Sequence, residues 1–306
     1  MAAQILPLAA LQSTNVGNLH ASSDTPEVFV GTEGVYFLPH NLVEIERLQR
    51  QHRFLKTATD DKLIPDALPS GSKVLDSGCA DGTWLLELAS QNPERLHLQG
   101  VDLNDTLFQA QPSLDLRVQD IREPFPADWQ WKNAFDLVHQ RLLVWGIAGA
   151  EWPAVIHHLS DVVKPGGYIQ LVEAEWILAD VSDRRPEQKK LHLVQEWSAS
   201  SFGMDVHIWD KLDDLLRAEG FEDINISSFD LGYGKTAKHE EDRTRSAELW
   251  AESFRHIARK IPTTGIPGVA QDAAEYHEFL DRLVVEMKTV GYTPKLKWVR
   301  ARKPLA

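Results

Sequence analysis

The spacing of apolar residues changes period several times along the chain. Residues 1 to about 35 show no period; Ala, Ser, Thr, Asn and Gly dominate them, and a flexible N-terminal arm is expected. From Asn41 the pattern turns helical: Leu42, Ile45, Leu48, His52 and Leu55 fall three or four apart, on one face. Asn41 followed by Glu44 has the form of a capping box, which predicts the start of that helix.

From Lys73 onward, short apolar runs alternate with helical ones. KVLDSG reads as strand one and TWLLELA as the helix after it. LHLQGVDL, DLRVQD and FDLVHQ read as strands two to four, WPAVIHHLSDVV as a helix stopped by the turn KPGG, and YIQLVEAEW as strand five. Strands separated by helices predict a parallel sheet covered on both faces. Right-handed crossovers then gather the strand C-termini on one edge, where such sheets bind ligands. After a polar stretch, ADVSDRRPEQKK, helices are expected at LHLVQEWSAS and WDKLDDLLRAEGF, the second closed by Gly220. INISSF is a sixth strand, 244–260 and 272–290 read as charged helices, and KLKWVRAR suits a seventh strand, antiparallel to its neighbours.

Composition narrows the function classes. A formal net charge of −13 with only short basic clusters argues against nucleic acid as a partner. No apolar run reaches the ~18 residues that span a bilayer, so no membrane partner is expected. The N-terminus lacks a basic segment before its apolar residues and reads as an arm rather than a signal peptide. Cys79 is the single cysteine, so no internal disulfide forms and a cytoplasmic location is expected. Paired-cysteine zinc is excluded, and adjacent His157 and His158 do not share a helix face, so no metal site is expected.

The loop after strand one, KVLDSGCADGTW, carries the chemistry. A dinucleotide fingerprint laid from Gly78 asks for glycine at 80 and 83, where Ala80 and Thr83 stand. A phosphate-binding Walker loop needs a lysine that is absent. What fits is an acid followed by small residues at every second place: Asp76, Gly78, Ala80, Gly82. Two more acids end the next strands, Asp102 in GVDL and Asp120 in VQDI.

This pattern resembles motif I of the class I S-adenosylmethionine (SAM) methyltransferases, with Ala80 where that family usually has glycine. VYFLPHNLVEIERLQRQH, FDLVHQRLL, VVKPGGYIQLVEAEW and LLRAEGF are further similar to the fungal secondary-metabolism group. That group holds small-molecule N-, O- and S-methyltransferases and a methyltransferase-like global regulator. The resemblance covers roughly residues 35 to 302. It implies an α/β, Rossmann-like doubly wound seven-stranded sheet with an antiparallel last strand, an N-terminal helical lid and helical insertions in the substrate region. One domain is then expected over 36–306: a lid at 36–70, a SAM-binding core at 71–176, and a substrate region with sheet completion at 177–306.

The resemblance implies SAM as cofactor and S-adenosylhomocysteine as product. Asp76 would help hold the amino group, Asp102 the ribose hydroxyls, and Asp120 the adenine amino group, with the Ile121 amide on a ring nitrogen. Ser77, Gly78, Cys79, Gly82 and Leu103 belong to the same loops, and Gln140 meets the methionine portion. Tyr36 and the 41–55 helix would close as a lid, with Arg47 or Gln51 reaching the cofactor's carboxylate. His139, at the end of strand four, is the candidate base or orienting group; a strand-end histidine satisfied by backbone is the bland reading. Trp145, Trp176, Phe202, Asp205 and His207 are candidate substrate contacts in an aromatic region that also holds Trp197 and Trp209. Glu173 and Glu175 read as solvent-facing acids.

Three functions stay open at this point. The leading one is methyl transfer to a heteroatom of a small natural product, with sulfur or nitrogen favoured because no strong base is evident and oxygen kept open. The others are a SAM-binding regulator acting through protein partners, with a nuclear location, and a non-methylating cyclisation on the same fold. A monomer or a homodimer is expected.

Overall fold

The computed structural model describes residues 42–92, 95–103, 105–108, 111–178 and 185–305. The expected arm, Tyr36 and the Asn41 cap lie outside the described residues. The elements are α1 (Leu42–Ala58), β1 (Lys73–Ser77), α2 (Thr83–Gln91), β2 (His97–Asp102), β3 (Leu114–Val118), β4 (Phe135–Arg141), α3 (Trp152–Val162) and β5 (Val163–Ala174). There follow α4 (Pro186–Phe202), α5 (Ile208–Ala218), β6 (Glu222–Asp230), α6 (Asp242–Arg255), α7 (Ala273–Val290) and β7 (Lys295–Arg302).

All seven strands join one sheet in the order β3-β2-β1-β4-β5-β7-β6. β1 to β5 run parallel, and β7 is antiparallel to both β5 and β6. The sheet is the expected Rossmann-like architecture. From β1 the chain builds outward to β3, then returns to start the other half at β4. With right-handed crossovers, α2 and α3 therefore lie on opposite faces, and the gap between β1 and β4 opens at their C-terminal ends. The apolar residues that predicted these elements form the core: Val74 and Leu75 of β1, Leu85 and Leu88 of α2, and Trp152, Ile156 and Leu159 of α3 are fully buried.

Several boundaries differ from the sequence reading. β5 starts at Val163 rather than after KPGG, because the chain bulges at Gly166, φ 77°, and then resumes pairing with β4. α4 begins earlier than its apolar pattern, at Pro186, because the Glu286 carboxylate of α7 accepts the Glu187 and Gln188 amides and caps it from a distance. β4 runs on to Arg141, so His139 lies inside the strand. Residues 256–260 tighten into a 3-10 turn after α6.

Candidate active site

The loop between β1 and α2 shows why small residues alternate there. Gly78, Ala80 and Gly82 all adopt positive φ, at 74°, 49° and 79°. A side chain resists that region of backbone space, which is the reason glycine is usual at all three places. The loop amides are spent on β2: Gly78 and Cys79 both donate to the Val101 carbonyl, at 2.8 and 2.9 Å, and Ala80 donates to Asp102 Oδ2 at 2.8 Å. At the start of α2, where a phosphate would sit, Asp81 instead accepts from the Thr83 amide (3.1 Å) and hydroxyl (2.7 Å). The loop is thus not a pyrophosphate cradle. Its acids and its spent amides fit a cofactor that carries an ammonium, a sulfonium and a ribose.

One cleft runs along the C-terminal edge of β1, β2 and β4, under α1 and α6. Asp76, Gly78, Cys79, Asp102, Leu103, Asp120, Ile121 and His139 line it. Asp102 Oδ1 also accepts the Leu103 amide at 2.7 Å, so loop amides hold both of its oxygens at the cleft edge. Asp120 lies two residues beyond β3 and is gripped by Arg122, with Nε on Oδ1 at 2.9 Å and Nη2 on Oδ2 at 2.6 Å. That guanidinium holds the Asp120 carboxyl below its ordinary pKa. His158 Nδ1 lies 3.2 Å from the Ile121 carbonyl and steadies the same turn.

Ser77 and Gln140 do not line the cleft. They are register partners on β1 and β4, one residue past Asp76 and His139, so strand alternation turns them to the other face. There the Ser77 hydroxyl donates to Gln140 Oε1 at 3.4 Å, with both residues buried. Gly82 caps α2 rather than facing the cleft.

His139 is almost fully buried, stacked on the Trp84 ring at 3.7 Å, with Nδ1 2.7 Å from Asp76 Oδ1. Burial pulls its pKa below the ordinary value; the Asp76 charge and hydrogen bond oppose this without cancelling it. The ring is therefore neutral. Because a carboxylate only accepts, Nδ1 carries the proton and Nε2 keeps a lone pair.

The opposite wall is aromatic. Trp145 and Trp176 line the cleft and meet edge to face at 5.5 Å, and Phe254 of α6 closes on both at 6.1 Å. Behind them stand Trp250, Tyr233 and Tyr292. Phe202, Asp205 and His207 are not brought to this cleft. Phe202 packs on Trp197, and Asp205 is occupied at the start of α5 by the His207 amide (3.0 Å) and Lys211 (2.5 Å). Trp209 sits instead over Lys297.

Glu173 and Glu175 are buried, not solvent-facing. Glu173 Oε1 accepts the Leu143 and Val144 amides at 2.6 and 3.1 Å, fixing the loop after β4 that shapes the aromatic wall. Burial pushes its pKa up to about 8 against the effect of those amides.

Sequence reasoning missed Asp81, Arg122, Arg141 and the inner face of α6, where Ser253, Phe254 and Ile257 line the cleft. Arg141, a cation ending an apolar strand, was the one readable signal among them. Arg47 lines the cleft, but its guanidinium is held bidentately by Glu44 at 2.8 and 2.7 Å and donates to Ser253 at 3.1 Å. With Arg50–Glu252, Gln49–Asp81 and Lys56–Glu87, it fastens α1 to α6 and α2 across the cleft. Among the described residues no helix is long and apolar enough to cross a membrane.

The methyltransferase domain family matches residues 47–226. The N-methyltransferase verN of Clonostachys rogersoniana is 30% identical over 275 residues, covering 88% of this chain and 93% of its own. The secondary metabolism regulator laeA of Aspergillus fumigatus is 24% identical over 288 residues, covering 90% and 74%. Among solved structures, the geranyl diphosphate C-methyltransferase of Streptomyces coelicolor aligns with a TM-score of 0.48 at 14% identity, covering 88% of this chain and 90% of its own. The chain belongs to the methyltransferase domain family and is a SAM-dependent methyltransferase of the fungal secondary-metabolism type.

Proposed function

We propose that the protein methylates a nitrogen atom of a small, flat, largely apolar natural product. The two-sided cleft carries this reading: Asp76, Asp102 and Asp120 at one end, and the Trp145–Trp176–Phe254 wall at the other. The likeness to an N-methyltransferase supports nitrogen over sulfur or oxygen.

When bound, the cofactor supplies an electrophilic methyl group on a sulfonium, already a good leaving group. The chain's task is then mainly alignment. Asp102 accepts the ribose hydroxyls, Asp120 and the Ile121 amide read the adenine, and Asp76 accepts from the ammonium. The aromatic wall orients the acceptor's ring and excludes water. His139, neutral and with Nε2 unprotonated, is the base or orienting group; a nitrogen acceptor that already carries a lone pair asks little of it.

The test is transfer of labelled methyl from SAM to extracts containing amine-, lactam- and indole-bearing small molecules. The expected outcome is label on a nitrogen. Label on sulfur or oxygen would correct the atom. Cofactor binding with no transfer would sink the proposal and favour a cofactor-binding regulator, to which the likeness to laeA points.

A further inference from the structure

We infer that Arg141 and His52 form the receiving site for the α-carboxylate of the cofactor's amino-acid end. This rests on the cofactor reading above, and it assigns a role to two side chains that the proposed mechanism leaves unused.

Position comes first. Arg141 is two residues past His139 on β4, so the two share a strand face about 7 Å apart along the chain. His139 is the register partner of Asp76 on β1. An ammonium at Asp76 therefore lies one pleat from Arg141 along the cleft edge. In an α-amino acid a single carbon separates ammonium from carboxylate. With a hydrogen bond of about 2.9 Å at each end, the moiety spans that gap.

The state of the two side chains comes second. Arg141 lines the cleft, and among the described residues it makes no ion pair within 4.0 Å. Its two terminal nitrogens instead donate to His52 Nδ1, at 3.4 and 3.3 Å. A guanidinium can only donate, so His52 Nδ1 must accept and its proton sits on Nε2. Burial, reinforced by the Arg141 charge, draws the His52 pKa down to about 3, so the ring stays neutral. His52 is 3% exposed and lines the cleft, yet its Nε2–H finds no acceptor within the protein. A cation that feels the Asp76 and Asp81 carboxylates only at a distance, with no ion-pair contact, thus stands beside a buried donor that finds no acceptor within the protein. A carboxylate, with two oxygens and no proton, answers both needs. The other two guanidiniums in the cleft wall already have counter-ions: Arg47 has Glu44, and Arg122 has Asp120.

The test compares two ligands that differ only in the amino-acid end. S-adenosylhomocysteine carries the carboxylate; 5′-methylthioadenosine does not. Isothermal titration of the full chain with each, for wild type, Arg141→Met and His52→Phe, reads the site without any turnover. Arg141→Met is expected to weaken S-adenosylhomocysteine at least about tenfold, the low end for a charge-assisted hydrogen-bonded pair. Its 5′-methylthioadenosine affinity should hold within about twofold, and His52→Phe should show the same selectivity at smaller size. Arg141→Lys, which keeps the charge and loses the fork, should fall between. An equal loss for both ligands, in folded variants by circular dichroism, would make the pair structural. No loss for S-adenosylhomocysteine would place the carboxylate elsewhere. Failure of the wild type to bind either ligand would overturn the cofactor reading itself, a result distinct from both.

Discussion

The two ends of the cleft are built by opposite means. At the cofactor end, Asp76, Asp102 and Asp120 stand at or just past the ends of three successive strands, each held by amides or side chains a short way off in the fold. At the acceptor end, Trp145, Trp176 and Phe254 arrive from the loop after β4, the segment after β5, and α6. They are packed ring against ring. The polar end is thus set by strand geometry, which tolerates little change. The aromatic end is set by packing, which can be re-cut to suit a new acceptor while the cofactor end stands still.

If the ends are independent, damage to one should leave the other's binding intact. Phe254→Ala removes a ring that is 4% exposed and touches Trp145, Trp176 and Trp250. The expected cost in stability is about 3–5 kcal/mol. S-adenosylhomocysteine affinity of the folded protein should stay within about twofold, while the KM for an acceptor rises. Denaturant unfolding and ligand titration on one sample measure both. A parallel fall in cofactor affinity would break the comparison, because it would mean that α6 supports both ends.

This contrast also explains what was legible in the sequence. β1 to β5 and the three acids were readable because a short apolar run ending in an acid is a local pattern. Strand alternation, applied more strictly, would have turned Ser77 and Gln140 away from the cleft, since each is one residue past a cleft-facing neighbour. The α6 face was not readable. Ser253, Phe254 and Ile257 enter the cleft only because α6 packs on α1, some two hundred residues earlier in the chain. Phe202, Asp205 and His207 were placed near the acceptor by sequence proximity, yet Phe202 ends α4 against Trp197, and Asp205 and His207 lie at the start of α5. Glu173 read as a surface acid because its partners, the Leu143 and Val144 amides, lie about thirty residues earlier in the chain.

Glu173 offers a sharper test of the acceptor-side loop. Its pKa of about 8 is above that of the unfolded chain, so the folded protein keeps a proton that the unfolded one releases. Between about pH 4.5 and 8 the unfolded state binds fewer protons, and stability falls as pH rises, with the loss complete above about pH 8. Glu173→Gln keeps Oε1 for the Leu143 and Val144 amides and removes the ionisation. Relative to this variant, wild type is expected to lose on the order of 2–4 kcal/mol from pH 5 to 9. Denaturation midpoints at pH 5, 7 and 9 measure it. Parallel curves for the two proteins would mean that the carboxyl ionises freely and that the loop is held by something else.

The smallest expected effect tests how tightly the cofactor end is set. Ala80 holds φ at 49°, a conformation that costs an alanine about 1–2 kcal/mol and a glycine almost nothing. The unfolded chain offsets part of that gain, because a glycine there has more freedom to lose, by about 0.4–1 kcal/mol. Ala80→Gly should therefore stabilise the protein by about 0.5 kcal/mol. It should leave S-adenosylhomocysteine affinity nearly unchanged, because the Ala80 amide keeps its bond to Asp102. Thermal unfolding with and without ligand separates the two effects. A loss of stability would show that the alanine methyl packs usefully against the loop. A gain in affinity would show that the methyl had been holding the loop away from its best fit to the ribose. In that event the polar end, like the aromatic one, would be open to adjustment by a single side chain.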